Sequence, residues 1–417
     1  KRASVRRKRE ASGREMTEAA TQKATGNTLS APRMLAALVL LCLGMGASGC
    51  AGVPPSFSGP GDFYEVPSPL PAGPPGALIR VQSIPSSPRA PGLTFFRVMY
   101  HSRDTQNRDV AVTGLVVVPD HAPPHGGWPV VAHAHGTTGL AASCAPSRHV
   151  NDYQGFGVDG VIAATDYLGL GPTGQLHAYM SGPSEGRAMI DIVRAARTLT
   201  HGRTNNQWIA SGASQGGHAA LFAGEQATHY APELDLVGVV AIEPSSEAMR
   251  SFGAGDSLMT AVEVMSLYGR AVDHPQLNPD AYVAPAVAEW AKRLNTVCLA
   301  DAVATFPKIA PEKVWTTDPR QTEPQRTILA ESTPGRVAIR APVLLVQGGA
   351  DVVVTPQRTQ AFRARACATG DRIDFRFYPD GAHDTTPGKA AADIGVWLQD
   401  RLAGRTSANT CEAAARP

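Results

Sequence analysis

Short apolar runs alternate with amphipathic stretches over most of the chain. Runs of apolar and β-branched residues bounded by turn-forming residues predict strands, here over 93–100, 110–118, 128–134, 161–165, 208–210, 236–242, 343–346 and 373–378. Apolar side chains at three- and four-residue spacing predict helices around Met189 and over 218–230, 357–367 and 390–402. Apolar strands that alternate with helices are typical of a mostly parallel sheet with helices on both faces, so the sequence predicts an α/β fold.

Two segments interrupt this alternation. Residues 244–335 lie between two predicted strands and contain several prolines, so we interpret them as an inserted cap. Residues 51–78 are rich in proline and predict an extended linker. The α/β domain itself is then expected over 79–411.

Composition and charge exclude several classes of protein. The chain has 417 residues, 43% of them hydrophobic, which is enough for a large core and excludes a wholly disordered protein. The formal net charge is +2, but residues 1–33 contain nine Lys and Arg and three Asp and Glu, so the remainder is mildly acidic. A mildly acidic body offers no basic surface for nucleic acid, and no apolar run reaches the ~20 residues of a membrane-spanning helix.

Residues 1–50 have the pattern of an N-terminal extension with a signal peptide. Basic residues that end at Arg33 precede an apolar run, 34–43, and a segment of small residues that ends at Cys50. We therefore expect the protein to be exported. The sequence ASGC at 47–50 is similar to a bacterial lipobox, so Cys50 is a candidate for lipidation at the cell envelope. Ordinary cleavage and secretion is the alternative, and the sequence leaves both open.

Export changes the interpretation of the cysteines. Cys144, Cys298, Cys367 and Cys411 form an even set in an oxidising compartment, which predicts two disulfides with three possible pairings. No Cys-x-x-Cys spacing is present, so the sequence indicates neither a zinc site nor a redox site. We expect no cofactor.

Residues 212–216 match the nucleophile motif G-x-S-x-G, with Ser214 at its centre. In this motif a strand turns sharply into a helix and exposes the serine at the apex. A second match, 182–186, is centred on Ser184 but follows no clean strand, and Ser184 is interpreted as the N-cap of the next helix. The context of an apolar run before and a helix after selects Ser214 as the candidate nucleophile.

A serine nucleophile needs a base, and the base needs an orienting acid. In the strand-turn-helix arrangement the chain order is serine, acid, histidine. His383 follows the last predicted strand, and Asp351 follows the strand before it in a glycine-rich turn, so both are expected at the edge of the sheet where ligands bind. Asp380 and Asp384 flank His383 closely in sequence and are expected to shape the turn instead.

The remaining requirement is a set of hydrogen-bond donors for a developing oxyanion. The backbone N–H of Gln215, directly after the nucleophile, and that of Gly136 or Thr137, in the loop after strand 128–134, are the candidates. His133 and His135 share one face of that strand, but no third ligand accompanies them in the sequence, so no metal site is expected.

The chain resembles a known family in several of these stretches. HGTTGLAASCAPS (135–147), ATDYLGLG (164–171), GASQGGHAA (212–220), the Asp351 turn and the His383 loop resemble the secretory lipase family of α/β-hydrolases, which includes lipase A-type enzymes. The resemblance spans roughly 80–411. It implies ester hydrolysis by Ser214, Asp351 and His383, and a helical cap over an acyl pocket. It also implies disulfides between Cys144 and Cys298 and between Cys367 and Cys411, a pairing that rests on the resemblance alone.

The interpretation is therefore an exported serine carboxylic-ester hydrolase, a lipase or esterase, that acts on acylglycerols or other fatty-acyl esters through an acyl-enzyme. A serine peptidase or another acyl hydrolase on the same fold is one alternative, because a fold does not determine a substrate. A non-catalytic binding protein with a hydrolase fold is the other alternative, and loss of a triad residue would favour it. A lipase would also contact a lipid interface.

Overall fold

The computed structural model describes residues 53–54, 56–58, 61–85, 90–150, 158–172, 174–247 and 257–411. The expected signal peptide and Cys50 lie outside these ranges.

A nine-stranded sheet forms the centre of the part of the chain that is described. Its strands are β1 (Leu78–Ile84), β2 (Leu93–Arg103), β3 (Asp109–Pro119), β4 (Trp128–Ala134), β5 (Val161–Thr165), β6 (Thr204–Ala213), β7 (Asp235–Ile242), β8 (Val343–Gly348) and β9 (Ile373–Tyr378). Their order across the sheet is β1-β2-β3-β5-β4-β6-β7-β8-β9. Strands β1 to β3 are antiparallel, β3 is antiparallel to β5, and all further neighbours are parallel. The mostly parallel sheet is confirmed, and β1 is a strand that the apolar pattern did not predict.

Helices lie on both faces of the sheet. Within the described ranges they are α1 (Gly182–Leu199), α2 (Gln215–Tyr230), α3 (Ser257–Asp273), α4 (Pro285–Ala291), α5 (Leu299–Ala304), α6 (Gln325–Glu331), α7 (Pro356–Thr369) and α8 (Thr386–Leu402). On one face, α1 and α2 pack in a core that contains the fully buried Trp128 and Trp208. On the other face, Trp397 of α8 packs in a core with Ile209 and Val240 of the sheet. Burial of each large apolar side chain stabilises the fold by about 1.5–3 kcal/mol, so both faces contribute.

The chain between β7 and β8 contains helices α3 to α6 where it is described. These helices form their own apolar core around Met265, Val287, Trp290 and Leu294. Leu140, from the loop after β4, belongs to the same core, together with Tyr179 and Met180 from the segment before α1. The side chains of the inserted region therefore pack directly on loops at the carboxyl edge of the sheet.

Within the described ranges there are two disulfides, and they join the cysteines in the pairing that the family resemblance implies. Cys144 is bonded to Cys298, 154 residues further along the chain. Cys367, in α7, is bonded to Cys411, 44 residues further along. The first bond ties the inserted region to the loop after β4, and the second ties the C-terminal segment to α7.

The proline-rich segment differs from the expected linker. Phe63 and Tyr64 are almost fully buried and pack with Met99 and Ala111 on the outer strands of the sheet. The Tyr64 hydroxyl lies 2.8 Å from the Ser147 hydroxyl, within hydrogen-bond distance. The aromatic residues inside the segment explain the difference, because they supply apolar surface that a free spacer lacks.

None of the helices in the described ranges combines the length and the apolar character that crossing a membrane requires.

Candidate active site

Ser214 lies at a sharp turn between a strand and a helix. Strand β6 ends at Ala213 and α2 begins at Gln215. Ser214 has φ 56° and ψ −118°, a backbone conformation that non-glycine residues rarely adopt. The turn is held by hydrogen bonds to the chain after β7: Ser214 N donates to Ile242 O (2.9 Å), and Ser245 N donates to Ser214 O (3.0 Å). The strained nucleophile turn expected from the motif is therefore present in the backbone.

The glycines of the motif are required by close backbone contacts. A Cβ on Gly212 would lie 2.3 Å from Gly216 O, and a Cβ on Gly216 would lie 2.0 Å from Ala134 O. Both distances are far below van der Waals contact, and the opposing atoms are backbone carbonyls that cannot move aside. The motif therefore brings β6, α2 and the end of β4 together at one point.

Ser184 occupies a different position from the one expected. Helix α1 begins at Gly182, so Ser184 lies within its first turn, and Ser181 is the N-cap residue. The interpretation of Ser184 as the N-cap was wrong by three residues. Ser181 makes no capping hydrogen bond, and its hydroxyl donates to Asp273 Oδ2 instead (2.7 Å). Ser184 is 2% exposed inside a helix, far from the geometry of a nucleophile turn.

The loops after β8 and β9 bring Asp351 and His383 together. Because β8 and β9 are parallel neighbours, their carboxyl ends meet at one edge of the sheet. His383 Nδ1 donates to Asp351 Oδ2 at 2.8 Å. The other oxygen of Asp351 accepts the backbone N–H groups of Val353 (2.8 Å) and Val354 (2.9 Å). The carboxylate is therefore fixed in orientation. Because the neutral imidazole carries its one proton on Nδ1 when it donates to Asp351, Nε2 carries none.

The two other acids near His383 do not share this geometry. Asp380 is exposed and pairs with Lys389, and Asp384 is also exposed.

Burial of the His383 ring lowers its pKa, but the hydrogen bond and charge of Asp351, together with the charges of Glu243 and Asp384, outweigh burial and raise the pKa of His383 above its usual value. These neighbours therefore stabilise the imidazolium relative to the neutral ring.

Glu243 is a third acid at the site, and the sequence analysis did not identify it. It follows β7 directly, is 1% exposed, and its Oε2 lies 3.6 Å from His383 Nδ1. Burial and the charge of Asp351 raise the pKa of Glu243 to about 7. Its position directly after an apolar strand is the same signal that selected Asp351, so the sequence did contain a clue to it.

Among the described residues, Glu243, Asp351 and His383 are also close enough to share a metal ion, with ligand atoms within 4.8 Å of one another. Two of those atoms already form the 2.8 Å hydrogen bond between Asp351 and His383. A metal ion there would have to displace the proton of His383 Nδ1. The hydrogen-bonded arrangement explains the cluster without a metal.

The expected oxyanion residues lie around the nucleophile turn. Strands β4 and β6 are parallel neighbours, with Ala134 paired to Gly212, so the loop carrying Gly136 and Thr137 starts beside Ser214. The Thr137 hydroxyl lies 2.7 Å from the hydroxyl of Tyr179, within hydrogen-bond distance. The same loop is fixed to the inserted region, because Leu299 N donates to Thr138 O (2.8 Å) beside the disulfide at Cys298.

The side chain of Gln215 belongs to a buried polar network that the sequence analysis missed. Its amide nitrogen donates to Glu185 Oε1 (2.7 Å) and to His177 Nε2 (2.7 Å). Glu185 Oε2 accepts a hydrogen bond from His218 Nδ1 (2.8 Å), and His218 Nε2 donates to Ser332 O (2.9 Å). Gln215, Glu185, His177 and His218 are each at most 1% exposed. The network fixes the side chain of the residue that directly follows Ser214.

His133 lies in β4 and His135 directly follows it, and both line a cavity of about 780 Å³. Burial and the neighbouring His135 lower the pKa of His133 to about 4, so its ring is neutral near pH 7. The rest of the lining comes from strand ends and from small residues of α8, including Gly212, Ala213, Ile242, Ala391 and Gly395. The cavity therefore lies against the end of β6, next to the residue before Ser214.

The comparisons with known proteins agree on one family. A family model for secretory lipases matches residues 154–410. The chain is similar to lipase A of Moesziomyces aphidis, at 23% identity over 373 residues that cover 80% of this chain and 78% of that lipase. It is similar to lipase A of Arthroderma benhamiae, at 23% identity over 406 residues that cover 87% of this chain and 82% of that one. The crystal structure of Candida antarctica lipase A has the same fold, with a TM-score of 0.73 at 20% identity, covering 84% of this chain and 87% of that chain.

Proposed function

Because the chain belongs to the secretory lipase family and is an α/β-hydrolase that cleaves carboxylic esters, we propose that Ser214, Asp351 and His383 are its catalytic triad. We propose further that its substrates are fatty-acyl esters, acylglycerols among them. The observation that carries the proposal is the 2.8 Å hydrogen bond between His383 Nδ1 and Asp351 Oδ2 at the sheet edge where the strained Ser214 turn is also found.

In this mechanism, the Ser214 hydroxyl attacks the ester carbonyl while His383 Nε2 takes its proton. Asp351 holds the imidazole in the tautomer that leaves Nε2 available and stabilises the imidazolium. The backbone N–H of Gln215, with that of Gly136 or Thr137, stabilises the oxyanion of the tetrahedral intermediate. His383 then gives its proton to the leaving alcohol, and the acyl group remains on Ser214. Water activated by His383 attacks the acyl-enzyme and releases the acid.

The nucleophile is tested by comparing Ser214→Ala with Ser184→Ala. We expect Ser214→Ala to lower ester turnover by on the order of 10⁴-fold or more, and Ser184→Ala to change it by no more than a few-fold. A phosphonate inhibitor is expected to label Ser214 in peptide mapping. Label on Ser184, or turnover of aminoacyl-anilides in place of p-nitrophenyl esters, would contradict the proposal.

The acyl group of the substrate is proposed to be long, and the cavity beside β6 supports this. At about 780 Å³ it falls within the volume range of sites for small organic ligands, and Ala391 and Gly395 of α8 keep it open. Its lining is mostly apolar and includes Ala213, so an apolar chain bound there would lie beside the residue that precedes the proposed nucleophile.

A series of p-nitrophenyl esters of increasing acyl length tests this assignment. We expect Ala391→Phe to reduce kcat/KM for long acyl chains several-fold more than for acetate or butyrate. The matched control is Ala288→Phe, which fills a separate cavity of about 530 Å³ at α4, and it should leave the ratio of long-chain to short-chain activity unchanged. If Ala288→Phe changes that ratio and Ala391→Phe does not, the acyl group binds at the inserted region.

Attachment to a membrane through Cys50 is a separate proposal that rests on the sequence ASGC at 47–50. A protein of the secretory lipase family is exported, and lipidation of Cys50 would keep it at the cell envelope. Metabolic labelling with a fatty acid is expected to mark the parent protein and not Cys50→Ala. Release of unlabelled parent protein into the medium would instead establish ordinary secretion.

A further inference from the structure

Two carboxylates face the same ring nitrogen of His383. Asp351 Oδ2 lies 2.8 Å from Nδ1, and Glu243 Oε2 lies 3.6 Å from it. Both acids are almost completely buried, at 2% and 1% exposed. Coulomb interactions fall only with the inverse of distance, so the charge of Glu243 acts on the imidazole with a strength comparable to that of Asp351.

Glu243 is held firmly in this position. Its backbone has φ 44°, a conformation that residues with a side chain rarely adopt, and its N–H donates to Val346 O (2.8 Å). Its Oε1 accepts the backbone N–H of Gly348 (3.1 Å) at the end of β8. With Oε1 occupied, Oε2 is directed toward His383. The carboxyl group is therefore built into the site by its neighbours on β8.

The charged and titratable groups around Glu243 come from three elements. Asp351 lies on the loop after β8, His383 and Asp384 lie on the loop after β9, and Thr386 begins α8. Burial and the charge of Asp351 raise the pKa of Glu243 to about 7, while Thr386, His383 and a backbone N–H oppose that increase. A positive charge on the imidazole therefore favours the ionised form of Glu243, and ionised Glu243 favours the imidazolium.

We propose that Glu243 is a positioning residue for His383, a second carboxylate that orients the imidazole together with Asp351 and stabilises the imidazolium that forms when Ser214 attacks. The inference rests on the proposed roles of Ser214, Asp351 and His383. It adds that the base has two acid partners, so that loss of one leaves a carboxylate facing Nδ1.

The first test is the pH dependence of kcat/KM with a short p-nitrophenyl ester. Glu243→Gln keeps the size of the side chain and its acceptor for Gly348 N–H but removes the charge. We expect the acidic limb of the profile to move to lower pH by about half a unit or more, because a neutral neighbour makes the imidazole easier to deprotonate. Glu243→Asp keeps the charge at a shorter reach, and its acidic limb should stay closer to that of the parent.

Asp384→Asn is the matched control, since it removes a charge next to His383 from an exposed position. Solvent screens that charge, so its acidic limb should move much less than that of Glu243→Gln. All rates are normalised to sites titrated with a phosphonate, which restricts the comparison to folded enzyme.

The second test is a double-mutant cycle with Asp351. We expect Asp351→Asn to lower kcat on the order of 10²-fold, less than the ~10⁴-fold expected when a histidine base loses its only acid. Glu243→Gln should then cost at least about tenfold more in the Asp351→Asn background than in the parent. A purely structural role would give effects that multiply independently, because each variant would damage the site by itself.

The outcomes separate this inference from the proposed function. If Ser214 is not labelled by the phosphonate, or if both Asp351→Asn and the double variant are fully active, the proposed triad fails. If the triad variants behave as expected but Glu243→Gln leaves the acidic limb in place and its effect is independent of Asp351, the role of Glu243 alone is overturned.

Discussion

The disulfide between Cys144 and Cys298 is expected to matter for catalysis, and the one between Cys367 and Cys411 for stability only. The perturbations are the double variants Cys144→Ala/Cys298→Ala and Cys367→Ala/Cys411→Ala. Closing loops of 154 and 44 residues reduces the entropy of the unfolded chain by amounts that correspond to about 5 and about 4 kcal/mol. These values are too similar to distinguish the bonds, so their positions in the fold must do so.

The first bond lies beside the proposed oxyanion loop. Cys144 and Cys298 flank the point where Leu299 N donates to Thr138 O (2.8 Å), one residue after Thr137. Without the disulfide, that contact is held by backbone hydrogen bonds worth roughly 1 kcal/mol each and by the packing of Leu140 on the inserted region, so the part of the loop that carries Thr137 and Thr138 gains freedom to move. Loss of an oxyanion donor costs about 10²–10³-fold in kcat, so a loosened donor should cost about tenfold.

The assay is kcat for a short p-nitrophenyl ester at a temperature where urea or thermal unfolding shows each variant to be folded. Cys144→Ala/Cys298→Ala should show the tenfold decrease, and Cys367→Ala/Cys411→Ala should keep its kcat and lose only thermal stability. Non-reducing peptide mapping of the parent comes first, because a bond between Cys144 and Cys367, or four free thiols, would remove the premise. Equal kcat in both folded variants would refute the reasoning about the loop.

Three further outcomes follow from the buried groups. Gly216→Ala places a Cβ 2.0 Å from Ala134 O, so the turn at Ser214 must shift. We expect kcat to fall at least 10²-fold and the free energy of unfolding in urea to fall by about 2–3 kcal/mol. An active and stable variant would contradict this expectation. Glu185→Gln leaves Gln215 and His218 without their carboxylate partner. We expect the free energy of unfolding to fall by about 3 kcal/mol and kcat to fall at unchanged KM. A change in KM alone would count against a role of Glu185 at the Ser214 turn. Burial raises the pKa of Glu225 from 4.5 to about 7 in the folded protein, so its contribution to stability is complete below pH 4.5 and is lost as the pH rises through 7, by roughly 3 kcal/mol in total. Unfolding free energies of the parent measured across that range should fall more than those of Glu225→Gln, and parallel curves would show that Glu225 is not responsible.

The parts of the site that sequence analysis identified are those encoded by short stretches of chain. The turn at Ser214 is specified by glycines within two residues of it, and Asp351 and His383 lie in the short loops that follow β8 and β9. Position at the carboxyl end of a parallel strand predicts convergence without knowledge of the full topology. The same rule applies to Glu243, which follows β7. It was overlooked because a catalytic triad needs only one acid and Asp351 already supplied it.

The parts that were missed depend on contacts between distant residues. Glu185 meets Gln215 across 30 residues, and Phe63 and Tyr64 pack on outer strands that lie more than thirty residues further along the chain. A composition rich in proline predicts an extended segment but says nothing of what the aromatic side chains between the prolines will contact. Strand β1 was missed for a similar reason, because its apolar residues do not form a continuous run and its pairing with β2 depends on residues further along the chain.

The second copy of the motif, 182–186, has a structural explanation that also links it to the first. A Cβ on Gly182 would lie 2.1 Å from the Phe222 ring, and one on Gly186 would lie 2.8 Å from the Phe222 backbone, so both glycines allow α1 to pack closely on α2. Close packing of these helices places Glu185, between the two glycines, within reach of Gln215 at the start of α2. The glycine spacing that imitates a nucleophile turn thus arises from helix packing, and the residue it delivers to the site is the glutamate rather than the serine. The same contact explains why Ser184→Ala should have almost no effect while Glu185→Gln should have a large one. The Ser184 side chain lies within a buried helix turn, and the Glu185 side chain holds the residue next to the proposed nucleophile.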